Sequence, residues 1–145
     1  MKRTRRPAGF TLIELVVIIL VLGIVASVAI PKFGQLSESA KVNATKDELG
    51  RLKTAIIGAT GPDGIPRGGY EIDVGIPPNQ LLDLVQKPDS VSVWDKFIGR
   101  GWNGPYIDSA NGEYLTDAWD STYQFNLGAR TITSIGSGSN IVLPF

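Results

Sequence analysis

Three patterns of apolar and polar positions follow one another along the chain. From Phe10 to Ile30 the sequence FTLIELVVIILVLGIVASVAI is apolar on every side, and Glu14 is its single charge. As a helix this run spans roughly 31 Å at ~1.5 Å per residue, the thickness of a bilayer hydrocarbon core of about 30 Å. Beyond Pro31 the apolar positions become periodic. Val42, Leu49, Leu52, Ile56 and Ala59 fall at helical spacing with Thr45 filling the gap, and Lys41, Lys46, Asp47, Glu48, Arg51 and Lys53 lie mostly opposite. The two stretches predict one helix from Phe10 to Ala59, about 75 Å long, bent near Pro31. It should stop where Gly58, Gly61, Pro62 and Gly64 cluster.

The third pattern is shorter and alternating. Residues 61–78 are rich in Gly and Pro and read as an irregular loop, with at most a short extended piece at Tyr70 to Val74. Asn79 is placed to cap a short helix, Gln80 to Gln86, that Pro88 stops. Ser121 to Asn126 alternates polar with aromatic, turns at Leu127-Gly128-Ala129 and returns through Arg130 to Ile135, which predicts a hairpin. Glu113 to Thr116 is the expected third strand. After the loop Gly136-Ser137-Gly138-Ser139, the apolar tail Ile141 to Phe145 is expected to pack rather than hang free. The fold class is therefore α+β: a long N-terminal helix, its first half transmembrane, with its second half packed on a small antiparallel sheet.

Composition closes several chemistries. The 145 residues include no His and no Cys, so imidazole catalysis, thiolate chemistry, Cys/His zinc sites and disulfides are excluded. The 14 basic and 14 acidic side chains balance, but Lys2, Arg3, Arg5 and Arg6 lie ahead of residue 10 with no acid among them. Without residues 1–9 the chain holds 10 basic and 14 acidic side chains, a balance of −4 that disfavours binding to a phosphate backbone. The one-sided basic leader keeps the N-terminus cytoplasmic and sends the C-terminal part across the membrane. Neither Gly58-Ala59-Thr60-Gly61 nor Gly136-Ser137-Gly138 follows a strand and opens a helix with the Lys that a phosphate loop needs.

Two processing routes fit the leader. An ordinary secretory signal would be cut after the small residues Ser27-Val28-Ala29 and release a soluble domain. Cleavage after Gly9 would instead keep the apolar run as an anchor. Glu14 favours retention, because a carboxylate inside a disposable apolar core costs insertion energy to no purpose.

The stretch Arg5-Arg6-Pro7-Ala8-Gly9-Phe10-Thr11-Leu12-Ile13-Glu14 resembles the leader junction of type IV pilins and pseudopilins. The resemblance implies a type IV pilin-like fold, cleavage after Gly9 by a prepilin peptidase, methylation of the new Phe10 amine, and an assembly role for Glu14. Pro31, the 22nd residue counted from Phe10, matches a helix-kinking Pro common in that family. The implied organisation is a leader at 1–9, a transmembrane and assembly helix at 10–30, an amphipathic continuation at 31–59 and a periplasmic globular domain at 60–145.

A second resemblance covers the C-terminal half. Gly101-Trp102-Asn103-Gly104-Pro105-Tyr106, Leu115-Thr116-Asp117-Ala118-Trp119, Tyr123-Gln124-Phe125 and Ser134-Ile135-Gly136 are similar to the major pseudopilins of type II secretion. The same aromatic residues also suit the core of any small domain. That family follows its Ser-x-Gly segment with an acidic loop that binds calcium, whereas this chain has no Asp or Glu after Asp120. Asp117, Asp120 and loop carbonyls would have to serve as ligands; otherwise the two are turn and strand-edge residues. No metal and no cofactor are expected.

The resemblance implies a structural subunit of a type II secretion pseudopilus, with no enzymatic activity, and no direct contact with nucleic acid is expected. Its implied partners are further copies of itself, other pseudopilins, the prepilin peptidase, an inner-membrane assembly platform with a cytoplasmic ATPase, and membrane lipid. A type IV pilus subunit for adhesion, motility or DNA uptake is the nearest alternative. A tethered hydrolase using Asp117 and Asp120 as paired acids is a different class, and nothing in the sequence marks a substrate cleft for it.

Overall fold

The computed structural model describes residues 9–109 and 112–145. The leader residues Lys2, Arg3, Arg5, Arg6, Pro7 and Ala8 lie outside them. The chain divides into two compact units, Met1–Ser39 and Ala40–Phe145. Helix α1, Leu12–Ile57, contributes to both.

In the first unit the described residues of α1 expose apolar side chains on all sides, from Leu12 through Leu22 to Ile30. A helix that is apolar all round needs an apolar surrounding, and by length and composition this one can cross a membrane. Position 31 falls within α1.

The second unit is built on the amphipathic end of α1. Thr45, Leu49, Leu52, Ala55 and Ile56 are buried there, one face at i, i+3, i+4 and i+7 spacing. The helix ends at Ile57 rather than Ala59. Gly58 takes a left-handed φ of 84° and donates its N–H to Thr54 O at 2.8 Å, an ending that favours glycine. Ala59 is exposed and opens β1, Ala59–Thr60, which pairs with β2, Pro66–Arg67.

The expected extended piece at Tyr70 to Val74 is instead a short helix, α2, with Tyr70 fully buried in the core. Tertiary packing of the Tyr70 ring, set edge-on to Tyr106 at 5.7 Å, outweighs the weak local preference. The expected helix from Gln80 to Gln86 is a 3₁₀ turn, Leu81–Leu84. Its cap is Gln80 rather than Asn79, because the Asp83 carboxylate accepts from the N–H groups of both residues and holds the backbone in a capping box. Glu113–Leu115, expected as a strand, is a second 3₁₀ turn.

The sheet has the expected hairpin at one side. β3, Gln124–Asn126, pairs antiparallel with β4, Thr131–Ser134, in the register Gln124↔Thr133. Its third strand is the apolar tail: β5, Ile141–Pro144, pairs with β4 in the register Ile132↔Leu143. Buried Ile132 and Tyr123 join Leu49, Leu52, Ile56, Tyr70, Leu81 and Leu84 in one cluster. The fold is α+β, as the sequence pattern predicted.

Candidate assembly site

Gly9 and Phe10 precede α1, and Phe10 is 76% exposed. Thr11 then caps the helix. Its Oγ1 accepts the Glu14 backbone N–H at 3.3 Å, and its carbonyl accepts Leu15 N–H at 3.2 Å. The Thr-x-x-Glu spacing is half of a capping box, a cue in the sequence that a reading centred on charge passes over. Glu14 thus has a local role, since an acid in the first turn complements the helix dipole. Its carboxylate nevertheless stays exposed, with no ion-pair partner among the described residues. Phe10 and Glu14 lie at the start of the apolar helix, whereas Pro31 lies well along it.

The C-terminal blocks meet at Asp117. This side chain is only 5% exposed, and four donors reach its carboxylate. Ser134 Oγ donates to Oδ2 at 2.6 Å and Gly136 N at 3.0 Å, while Trp119 N and Ser121 N donate to Oδ1 at 3.0 and 2.9 Å. Gly136 is required here: a Cβ at that position would stand 2.6 Å from Asp117 Oδ2. Burial pushes the Asp117 carboxyl up, and the four donors more than compensate, holding it below the ordinary carboxylate value. The Asp117 turn is also tied to α1, because Ala118 N donates to Thr45 Oγ1 at 3.2 Å. The blocks Leu115 to Trp119 and Ser134 to Gly136 therefore form one hydrogen-bonded joint between helix, turn and sheet.

Asp117 and Asp120 do not converge as a pair of working acids. Asp120 is exposed, takes a left-handed φ of 61°, and donates its N–H to the Asp117 carbonyl at 3.0 Å. With both oxygens of Asp117 already occupied, neither a nucleophile nor a cation ligand is left free on that carboxylate. No group of three or more acidic side chains suited to a metal ion occurs among the described residues.

The second joint closes the tail. Arg130 donates to both Glu71 oxygens at 2.8 and 2.9 Å and, through Nε, to Phe145 O at 2.9 Å. Its guanidinium lies 5.0 Å from the Phe145 ring, which stacks on Phe125. The hydrogen bonds from Arg130 hold the Glu71 carboxyl below its ordinary value.

An apolar helix start that is capped and bears one acid, together with a second unit built on a small antiparallel sheet, is the build of a pilin-like subunit. The prokaryotic N-terminal methylation motif matches residues 4–30. The chain is 35% identical over 124 residues to type II secretion system core protein G of Pseudomonas aeruginosa, covering 83% of this chain and 74% of that protein. It is 34% identical over 102 residues to fimbrial protein EcpB of Eikenella corrodens, covering 68% of this chain and 64% of that one. Type IV major fimbrial protein FimA of Dichelobacter nodosus is 40% identical over 48 residues, 33% of this chain and 31% of its own length. No solved structure matches the chain. The chain belongs to the type IV pilin and pseudopilin family, whose members are structural subunits rather than enzymes.

Proposed function

We propose that this protein is a subunit of a type II secretion pseudopilus. In this reading a prepilin peptidase cuts after Gly9 and methylates the Phe10 amine. The helix from residue 10 to 30 then holds the subunit in the bacterial inner membrane, N-terminus cytoplasmic and globular domain periplasmic. Assembly, driven by a platform with a cytoplasmic ATPase, raises a periplasmic filament that exports folded proteins across the outer membrane. The observation that carries the reading is the similarity to secretion core protein G over 83% of the chain.

Glu14 acts as the latch. An ionised carboxylate in bilayer hydrocarbon is unfavourable, by up to about 3 kcal/mol at the membrane centre on insertion scales and by less toward the edge where a first-turn Glu14 would lie, and cleavage after Gly9 creates a cation on Phe10 near that same edge. An entering subunit can set its Phe10 amine against the Glu14 of a neighbour, neutralising both in a dry helical core and fixing axial register. Glu14→Ala should be inserted and cleaved normally yet fail to assemble or support export, and Glu14→Gln should be nearly as poor. Normal filaments and wild-type export by the Ala variant would refute the latch.

The similarity to EcpB favours a second reading, a type IV pilus subunit. Deleting the gene separates the two: trapped folded exoproteins support secretion, whereas loss of surface filaments with intact export supports the pilus.

A further inference from the structure

A tight turn in the second unit displays two large apolar side chains to solvent. Phe97 is 88% exposed and Ile98 73%, yet the turn that carries them is firmly built. Asp95 Oδ1 accepts from Phe97 N at 2.7 Å and from Ile98 N at 3.4 Å, Gly99 N donates to Asp95 O at 2.7 Å, and Asp95 N donates to Arg100 O at 2.9 Å. Below the turn, Trp102 N donates to Ser92 O and Gly101 N to Asp73 O. Lys96 Nζ lies 5.0 Å from the Phe97 ring. A preorganised apolar tip loses little ordering entropy on docking, and an aromatic beside a cation is the composition of an interface anchor.

Charge selects the partner. Residues 61–145 carry ten acidic and five basic side chains, whereas this turn carries Lys96 and Arg100 against the single acid Asp95, whose carboxylate accepts from the turn's own N–H groups. The tip is thus a basic spot on an acidic unit, complementary to the remainder of another copy. A separate depression, about 280 Å³, lies against α1 between Ala44, Glu48, Thr116, Asp120 and Tyr123. Asp120 is exposed, and the ion pair that Glu48 makes among the described residues is a surface contact to Arg51 at 3.4 Å, which neutralises it little. Among the described residues the Tyr123 hydroxyl beneath has no hydrogen-bond partner.

We propose that the Phe97 tip of one subunit seats in the Glu48/Asp120 depression of a neighbouring copy, with Lys96 facing the two carboxylates. Tip and depression share no residue, so the contact is head-to-tail and propagates along a filament instead of closing a pair. The proposal rests on the filament reading above and adds to it a contact between globular units.

The absence of native Cys makes the test direct. The full chain carries Phe97→Cys, Ala44→Cys or both, and filaments assembled in membranes are oxidised. Mixed single variants should give a disulfide dimer that neither gives alone, and the double variant a ladder of multimers. Adding Lys96→Glu should cut cross-linking about tenfold by placing like charges together, and Asp120→Asn should restore part of it. A dimer from Phe97→Cys alone would show a closed tip-to-tip contact and overturn the proposal. So would filaments without mixed cross-links, which leave the filament reading standing. If no filaments form, the filament reading itself fails and this contact with it. Protection of Phe97→Cys from a water-soluble maleimide in membranes of unassembled subunits would assign the tip to lipid and also overturn it.

Discussion

Ser134 Oγ donates to Asp117 Oδ2 at 2.6 Å, joining a strand to a turn across 17 positions of sequence. Three backbone N–H groups converge on the same carboxylate, so one side chain organises the edge of the sheet against α1. Asp117→Ala would leave those donors buried without an acceptor, at a cost of about 3 kcal/mol. Thermal unfolding of the detergent-solubilised chain should show Tm lower by on the order of 10 °C, with Asp117→Asn recovering only part because its NH₂ cannot accept.

Acid should weaken the globular unit. The carboxyls of Asp117 and Glu71 both lie below their ordinary values, so their stabilisation is complete above the unfolded-state values, around pH 4. It is lost as pH falls through the lower folded-state values. A urea titration repeated from pH 7 down to about pH 2.5 should show a falling midpoint, and Asp117→Asn should flatten that dependence. An unchanged midpoint would mean that these carboxylates are not linked to folding.

The Arg130 joint is more exposed and should matter less. Arg130→Ala removes the contacts to Glu71 and Phe145 and should cost about 1 kcal/mol after allowance for solvent screening. Arg130→Lys should recover little, because an ammonium cannot make the paired contact. Comparing both variants with wild type at low and high salt measures the electrostatic part.

Calcium should have little influence on stability. The buried Asp117 carboxylate already accepts four hydrogen bonds, so chelator should move Tm by less than about 2 °C, below the shift of one lost side-chain contact. A large drop would show that loop oxygens hold a cation despite the missing acidic loop.

Local chemistry made some features legible in the sequence. Glu14 alone in an apolar run, the helical stripe from Thr45 to Ile56, and the alternation from Ser121 to Ile135 each follow from periodicity and solvation, which act over a few neighbouring residues. They sufficed for the α+β class, the long helix and the hairpin. What stayed hidden depends on partners distant in sequence. Tyr70 to Val74 becomes a helix because the Tyr70 ring finds a place beside Tyr106. The third strand is the tail rather than Glu113 to Thr116, because β4 offers its free edge to Ile141–Pro144. Asp117 reads as a possible ligand or acid until Ser134, Gly136, Trp119 and Ser121 are seen to occupy it. A residue's hydrogen-bond partners are chosen by the packed chain, so the sequence determined which side chains were available and the tertiary structure decided which of them were already taken.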